Sequence, residues 1–134
     1  MTNIVYFNYS YSQGYSANAY VRYELECNGK CILKYKPLYV SEDEYKKIEV
    51  SSEVVNKLES ILNKYSVSKW DGFNGNNKNV LDGDSFHFNV KMKDGSSVSA
   101  SGYMKWPKNY SEVSAEIKSL FSIYTKKFEK KFDK

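Results

Sequence analysis

From Val5 onward apolar and polar residues alternate with period two, Val5, Phe7, Tyr9 and Tyr11 against Tyr6, Asn8, Ser10 and Ser12. That pattern predicts a half-buried strand. After Gln13-Gly14, Ala17, Ala19, Val21, Tyr23 and Leu25 alternate with Tyr20, Arg22, Glu24 and Glu26, a second strand with a polar face. A third is expected from Lys30 to about Val40, and Pro37, which has no amide donor, argues for an edge position. Hairpin parity tests the turn before it. A three-residue loop, Cys27-Asn28-Gly29, pairs Leu25 with Cys31, Tyr23 with Leu33 and Val21 with Tyr35, which keeps apolar facing apolar. In the second half, a Lys93-Asp94-Gly95 loop sets Val90 against Val98, Phe88 against Ala100 and Phe86 against Gly102. His87, Asn89 and Lys91 then face Ser97, Ser99 and Ser101 on the other side.

Helical spacing follows each hairpin. Val54, Val55, Leu58, Ile61, Leu62 and Tyr65 form one stripe behind Ser51 or Ser52 as cap; Val113, Ile117, Leu120, Phe121, Tyr124 and Phe128 form another behind Asn109 and Glu112 at capping-box spacing. The stretch from Ser41 to Val50 is ambiguous between a helical turn and a short strand at Lys47 to Val50. The order predicts a two-layer α+β fold, two strand-strand-helix units forming a mainly antiparallel sheet with two helices on one face. The 134 residues fit a single domain, 1–134, with halves 1–66 and 67–134.

Composition adds a Tyr excess and a mild basicity. Thirteen of the 134 residues are Tyr, and the net charge is +4. Five lysines against Glu129 and Asp133 crowd into 126–134, so the basicity belongs mainly to a helix end or tail whose cations suit the helix dipole. A basic, aromatic-interleaved face of the kind that binds nucleic acid is not indicated. No stretch approaches the roughly 20 apolar residues of a membrane span, and Met1-Thr2-Asn3 opens no signal-like run. A soluble, cytoplasmic chain is expected, with secretion after signal removal as the alternative.

Candidate chemistry is sparse. Cys27 and Cys31 fall out of register in the preferred hairpin, so free thiols are expected, which favours a reducing compartment. His87 is the only histidine and sits on the polar strand face beside Ser99 and Ser101. The 69–84 stretch, a connector dense in Asn, Asp and Gly and anchored by Trp70 and Phe73, is a candidate binding loop. Asp71, Asp82 and Asp84 do not match a calcium-loop spacing; neither a metal nor a cofactor is expected. Tyr6, Tyr20 and Tyr103 fall on the outer sheet face, and Trp106 precedes Pro107 at a strand-to-helix junction; exposed aromatics of this kind serve protein interfaces and sugar platforms.

The motifs Trp70-Asp-Gly-Phe73, Val80-Leu-Asp-Gly-Asp-Ser-Phe86, Ala100-Ser-Gly-Tyr103 and Trp106-Pro-x-Asn-Tyr110 resemble a pattern of small uncharacterised bacterial α+β domains with no assigned activity. The resemblance covers the C-terminal half and implies structural punctuation rather than catalytic residues. The expected function is a non-enzymatic binding module for a protein or glycan, using the aromatic sheet face or the 69–84 loop. Its binding residues are expected among Trp70, Asp71, Phe73, Asp82, Asp84, His87, Tyr103 and Trp106, and a homodimer is within its range. The alternative is a small hydrolase using Asp82 or Asp84 with His87.

Overall fold

The computed structural model describes residues 3–14, 20–37, 45–76 and 83–132. Among these residues seven strands and two α-helices run in the order β1 (Ile4–Ser12), β2 (Tyr20–Asn28), β3 (Lys30–Lys36), β4 (Lys46–Val50), α1 (Ser52–Lys64), β5 (Asn74–Asn76), β6 (Ser85–Met92), β7 (Ser97–Tyr103) and α2 (Tyr110–Phe132), with a 3₁₀ turn at Val67–Trp70 after α1. They build one sheet of order β4-β3-β2-β1-β6-β7-β5. Every pairing is antiparallel except β5 with β7.

The α+β class therefore holds, but the two-unit description does not. Four strands precede α1, three lie between the helices, and β1 pairs with β6 in the middle of the sheet. Lys46–Val50 is the extra edge strand of the first half. Asn74–Asn76, within the expected connector, is the extra edge strand of the second. Because β4 covers Cys31 to Tyr35, β3 is an interior strand, not an edge. Pro37 follows its last residue, so its missing donor leaves the ladder intact.

The inward face is ordered in rows across the strands. One row runs Ile48, Leu33, Leu25, Phe7, Val90, Val98, and the next Tyr35, Tyr23, Tyr9, Phe88, Ala100. A third runs Val21, Tyr11, Phe86, Gly102, Gly75, tapering to glycine at the β5 edge. A bulge between Ile4 and Tyr6 turns Ile4 inward, fully buried, where strict alternation had placed Val5. The β6–β7 register matches the one that parity required. The β2–β3 register is two residues removed from expectation: Cys27 faces Cys31, Leu25 faces Leu33 and Tyr23 faces Tyr35. A shift of two keeps every side chain on its face, so the faces were right although the partners were not.

That shift also overturns the free-thiol expectation. Cys27 and Cys31, with Cα atoms 4.1 Å apart, form a disulfide across the hairpin. Gly29 at the turn takes φ +79°, the left-handed conformation that glycine adopts without a Cβ clash. The thiol argument for a reducing compartment has no basis in the fold.

Both helices bury their stripes in the same core as the inward sheet face. α1 contributes Val54, Val55, Leu58 and Leu62, and is capped by Ser51, whose hydroxyl accepts from the Val54 amide at 3.3 Å. α2 contributes Val113, Ile117 and Phe121, and the Phe121 ring packs on Phe7 and Tyr23. Asn109 immediately precedes α2, where the sequence placed its cap. Asn109 enters α2 with φ +64°, a left-handed turn that Asn tolerates, and its carbonyl accepts the Val113 amide at 3.0 Å. Phe128 of the expected stripe and the tail from 127 on have side chains outside the described ones.

Candidate functional site

Where the third row tapers to glycine, the chain after β7 crosses close above the sheet. A Cβ on Gly102 would stand 2.2 Å from the Lys105 carbonyl oxygen and 2.6 Å from the Phe86 ring, so only glycine admits the crossing. The crossing turns at Met104, whose φ of +52° is strained for a side-chain-bearing residue. It is pinned to the start of β6: the Met104 amide donates to the Asp84 carbonyl at 2.9 Å, and the Asp84 amide meets the Met104 sulfur at 3.1 Å. Trp106 then lands on an aromatic floor. Its ring centroid lies 4.8 Å from Tyr110, 5.6 Å from Phe86 and 6.1 Å from Tyr11, at interplanar angles of 29°, 33° and 16°. It nevertheless remains 37% exposed, the larger exposure of the two tryptophans.

Beside it opens a cleft of about 660 Å³ between the ends of β1 and β2 and the first turns of α2. That volume falls within the roughly 300–1,000 Å³ of small-molecule sites. Its aromatic wall is Tyr9, Tyr11, Tyr23, Trp106 and Tyr110; its polar groups are Gln13, Asp84, Ser111, Ser114 and Lys118.

The hydroxyls are organised. The Tyr11 hydroxyl donates to the Asp84 carboxylate, and the Tyr9 hydroxyl pairs with those of Tyr110 at 2.6 Å and Ser114 at 2.9 Å. Burial raises the pKa of all three phenols. For Tyr11 the Asp84 bond adds to burial, and for Tyr110 the neighbouring Tyr9 adds to it. Each phenol thus stays neutral at ordinary pH, the Tyr11 proton being committed to Asp84. The cleft offers neutral donors, one carboxylate and one ammonium among its described residues. Among its described residues no second carboxylate stands with Asp84, the pair that most glycosidic acid–base chemistry uses. Among the described residues no cluster of three His, Cys, Asp or Glu side chains is placed to hold a metal.

The expected binding residues scatter. Trp70 is a core residue, 4% exposed, with its indole N–H donating to the Lys108 carbonyl at 3.0 Å and its edge against Phe88. Asp71 accepts the Ser99 amide at 2.9 Å, and Phe73 packs on Phe86 while its carbonyl accepts the Ser101 amide. Together they fasten the entrance of β5 to β7. His87 and Tyr103 lie on the outer sheet face in a shallow hollow of about 210 Å³ with Ser85, Ser101 and Asn74 to Asn76, and the Tyr103 hydroxyl accepts the Gly83 amide at 2.8 Å. Asp82 lies outside the described residues. Only Asp84 and Trp106 come together in the cleft. Asp84 and His87 open into different hollows on opposite faces, so the hydrolase pairing of the two is not assembled.

Sequence reasoning missed Tyr9, Tyr11, Tyr110 and Ser114. A signal was present: inward-facing tyrosines need partners for their hydroxyls, and the neighbouring inward Tyr9 and Tyr11 therefore demanded a polar pocket at that end of the sheet. No protein-family model and no curated protein matches the chain. No described helix is long and apolar enough to cross a membrane.

Proposed function

We propose that the protein is a non-enzymatic binding module whose ligand, part of a glycan or of a protein, enters the aromatic cleft. One observation carries this reading: Trp106 is held half-exposed on an aromatic floor at the mouth of a cleft lined by hydroxyl groups. Outward exposure of an aromatic ring beside organised polar groups is what recognition sites use, since the ring is large and loses little freedom when it binds. The outer sheet face is the weaker choice. Two of its tyrosines are paired with charge: Tyr6 donates to Glu24 at 2.9 Å, and the Lys36 ammonium sits 3.9 Å from the Tyr20 ring centroid.

The test is a binding screen of the full chain against immobilised glycans and peptides, repeated with Trp106→Ala and with Tyr6→Phe. Capture that is lost in the first variant and kept in the second supports the cleft. Loss in Tyr6→Phe with retention in Trp106→Ala would return the function to the outer face.

A further inference from the structure

Resting on the cleft reading, we propose that the ligand unit is a neutral sugar ring, stacked on the exposed face of the Trp106 indole and hydrogen-bonded through its hydroxyls to Asp84.

Charge argues first. The described lining carries one carboxylate, Asp84, and one ammonium, Lys118. A uronic or phosphorylated sugar meets Asp84 as a like charge, and a quaternary ammonium meets Lys118. A neutral ligand meets neither penalty.

The polar inventory argues second. Gln13 offers both a donor and an acceptor, Ser111 and Ser114 offer hydroxyls of either sense, and Asp84 accepts only. A sugar hydroxyl is itself donor and acceptor, so it can partner any of these groups. A peptide held by strand addition needs an open strand edge. Here β1 lies between β2 and β6, and β2 between β1 and β3, so the strands that line the cleft have no open edge to join.

Geometry argues third. Tyr11, Phe86 and Tyr110 lie at shallow angles to the indole, and Trp106 still keeps 37% of its surface exposed, which leaves ring surface on which a ligand can stack. The C–H groups on one side of a pyranose carry slight positive charge and meet the negative π face of an indole favourably. The platform and the acceptor are also fixed relative to each other. The turn that presents Trp106 is bonded through Met104 to the backbone of Asp84, and the Asp84 carboxylate is oriented by Tyr11. Such preorganisation reduces the ordering cost of binding.

The experiment is a titration of the full chain, ¹⁵N-labelled, with neutral hexose and N-acetylhexosamine glycosides and their oligomers, glucuronic acid, glucosamine, choline and a capped tyrosine-containing peptide. The readouts are the two indole N–H signals and tryptophan fluorescence. The Trp70 N–H, engaged by Lys108, is the internal control. The expected result is that neutral glycosides alone move the Trp106 signal. Trp106→Ala and Asp84→Asn should each weaken that binding about ten-fold, the size of one good stacking or charge-assisted contact. Trp106→Phe should bind at intermediate strength and keeps the test open if the alanine variant misfolds. A cleft signal moved by choline, glucuronate or the peptide but not by neutral sugars overturns this proposal and leaves the cleft reading standing. Perturbations confined to the outer face, or none from any probe, overturn both.

Discussion

The two faces of the sheet draw on the same residue, tyrosine, and use it in opposite ways. On the inward face Tyr9, Tyr23 and Tyr35 share one row, with ring centroids 6.3 Å and 5.3 Å apart, and Tyr11 joins Phe86 and Trp106 in the next. At the cleft the Tyr9 hydroxyl meets two other hydroxyls and the Tyr11 hydroxyl meets one carboxylate. On the outward face Tyr6 and Tyr20 lie among Arg22, Glu24, Lys34 and Lys91, each ring beside a cation and the Tyr6 hydroxyl on Glu24. The difference teaches that tyrosine count says little about recognition. What matters is whether rings gather where water is partly excluded, so that a ligand can replace the remaining water, or stand singly among charges that already satisfy them.

The contrast breaks first if the inward rows are dispensable. Phe88→Ala removes a fully buried ring that touches Phe7, Tyr9 and Trp70, and should destabilise by about 3–5 kcal/mol in chemical denaturation. A loss below about 1 kcal/mol would show that this face is not the core.

The crossing over Gly102 comes next. Gly102→Ala drives a methyl into the Lys105 carbonyl, a backbone atom that cannot swing away, and is expected to cost about 1–3 kcal/mol, near the upper end. The same substitution should move the Trp106 indole N–H signal. An unchanged Trp106 signal would separate the cleft from the glycine taper.

Smaller again is reduction of the Cys27–Cys31 disulfide. Its loop is short, so the chain-entropy account allows about 2 kcal/mol or less. Denaturation midpoints with and without reductant measure it, and a global unfolding on reduction would mean that the hairpin end carries far more of the fold than its position implies.

The outward face should show the smallest effect. Tyr6→Phe is expected to change stability by about 0.5 kcal/mol or less at neutral pH, and its signature lies in alkali. Burial and the Glu24 bond push the Tyr6 phenol up from 10.0 to about 12. The folded state therefore holds this proton more tightly than the unfolded chain. The contribution is complete below pH 10 and is lost as pH rises through 12. A denaturation series across that window should fall less steeply in Tyr6→Phe than in the parent; parallel curves would remove Glu24 as its partner.

How much of this was legible beforehand depended on how local each determinant was. The β6–β7 register followed from alternation together with the Lys93-Asp94-Gly95 loop, whose length chose among the shifts of two that alternation leaves open. Alternation in β2 and β3 specified the faces but not the register, since shifts of two preserve the pattern, and the cysteine pairing went astray with it. The outlying strands β4 and β5 were hard to read for a different reason. Lys46–Val50 and Asn74–Asn76 are short and polar, and they are strands because a neighbour's backbone is there to bond, not because their residues favour it.

The cleft shows the same division. Trp106 and Asp84 drew attention as residue types, but Tyr110 and Ser114 lie 101 and 105 positions from Tyr9, and no local pattern connects them. By itself the sequence determined the class, the two helical stripes, most of the inward set of side chains and the Lys93-Asp94-Gly95 loop, all consequences of periodicities and turn chemistry that act within a few residues. Only the tertiary structure decided the strand order, the disulfide, and the convergence of Trp106, Asp84, Tyr9, Tyr11 and Tyr110 on one cavity. Those depend on which distant segments exclude water together, and burial of that kind is a property of the packed chain.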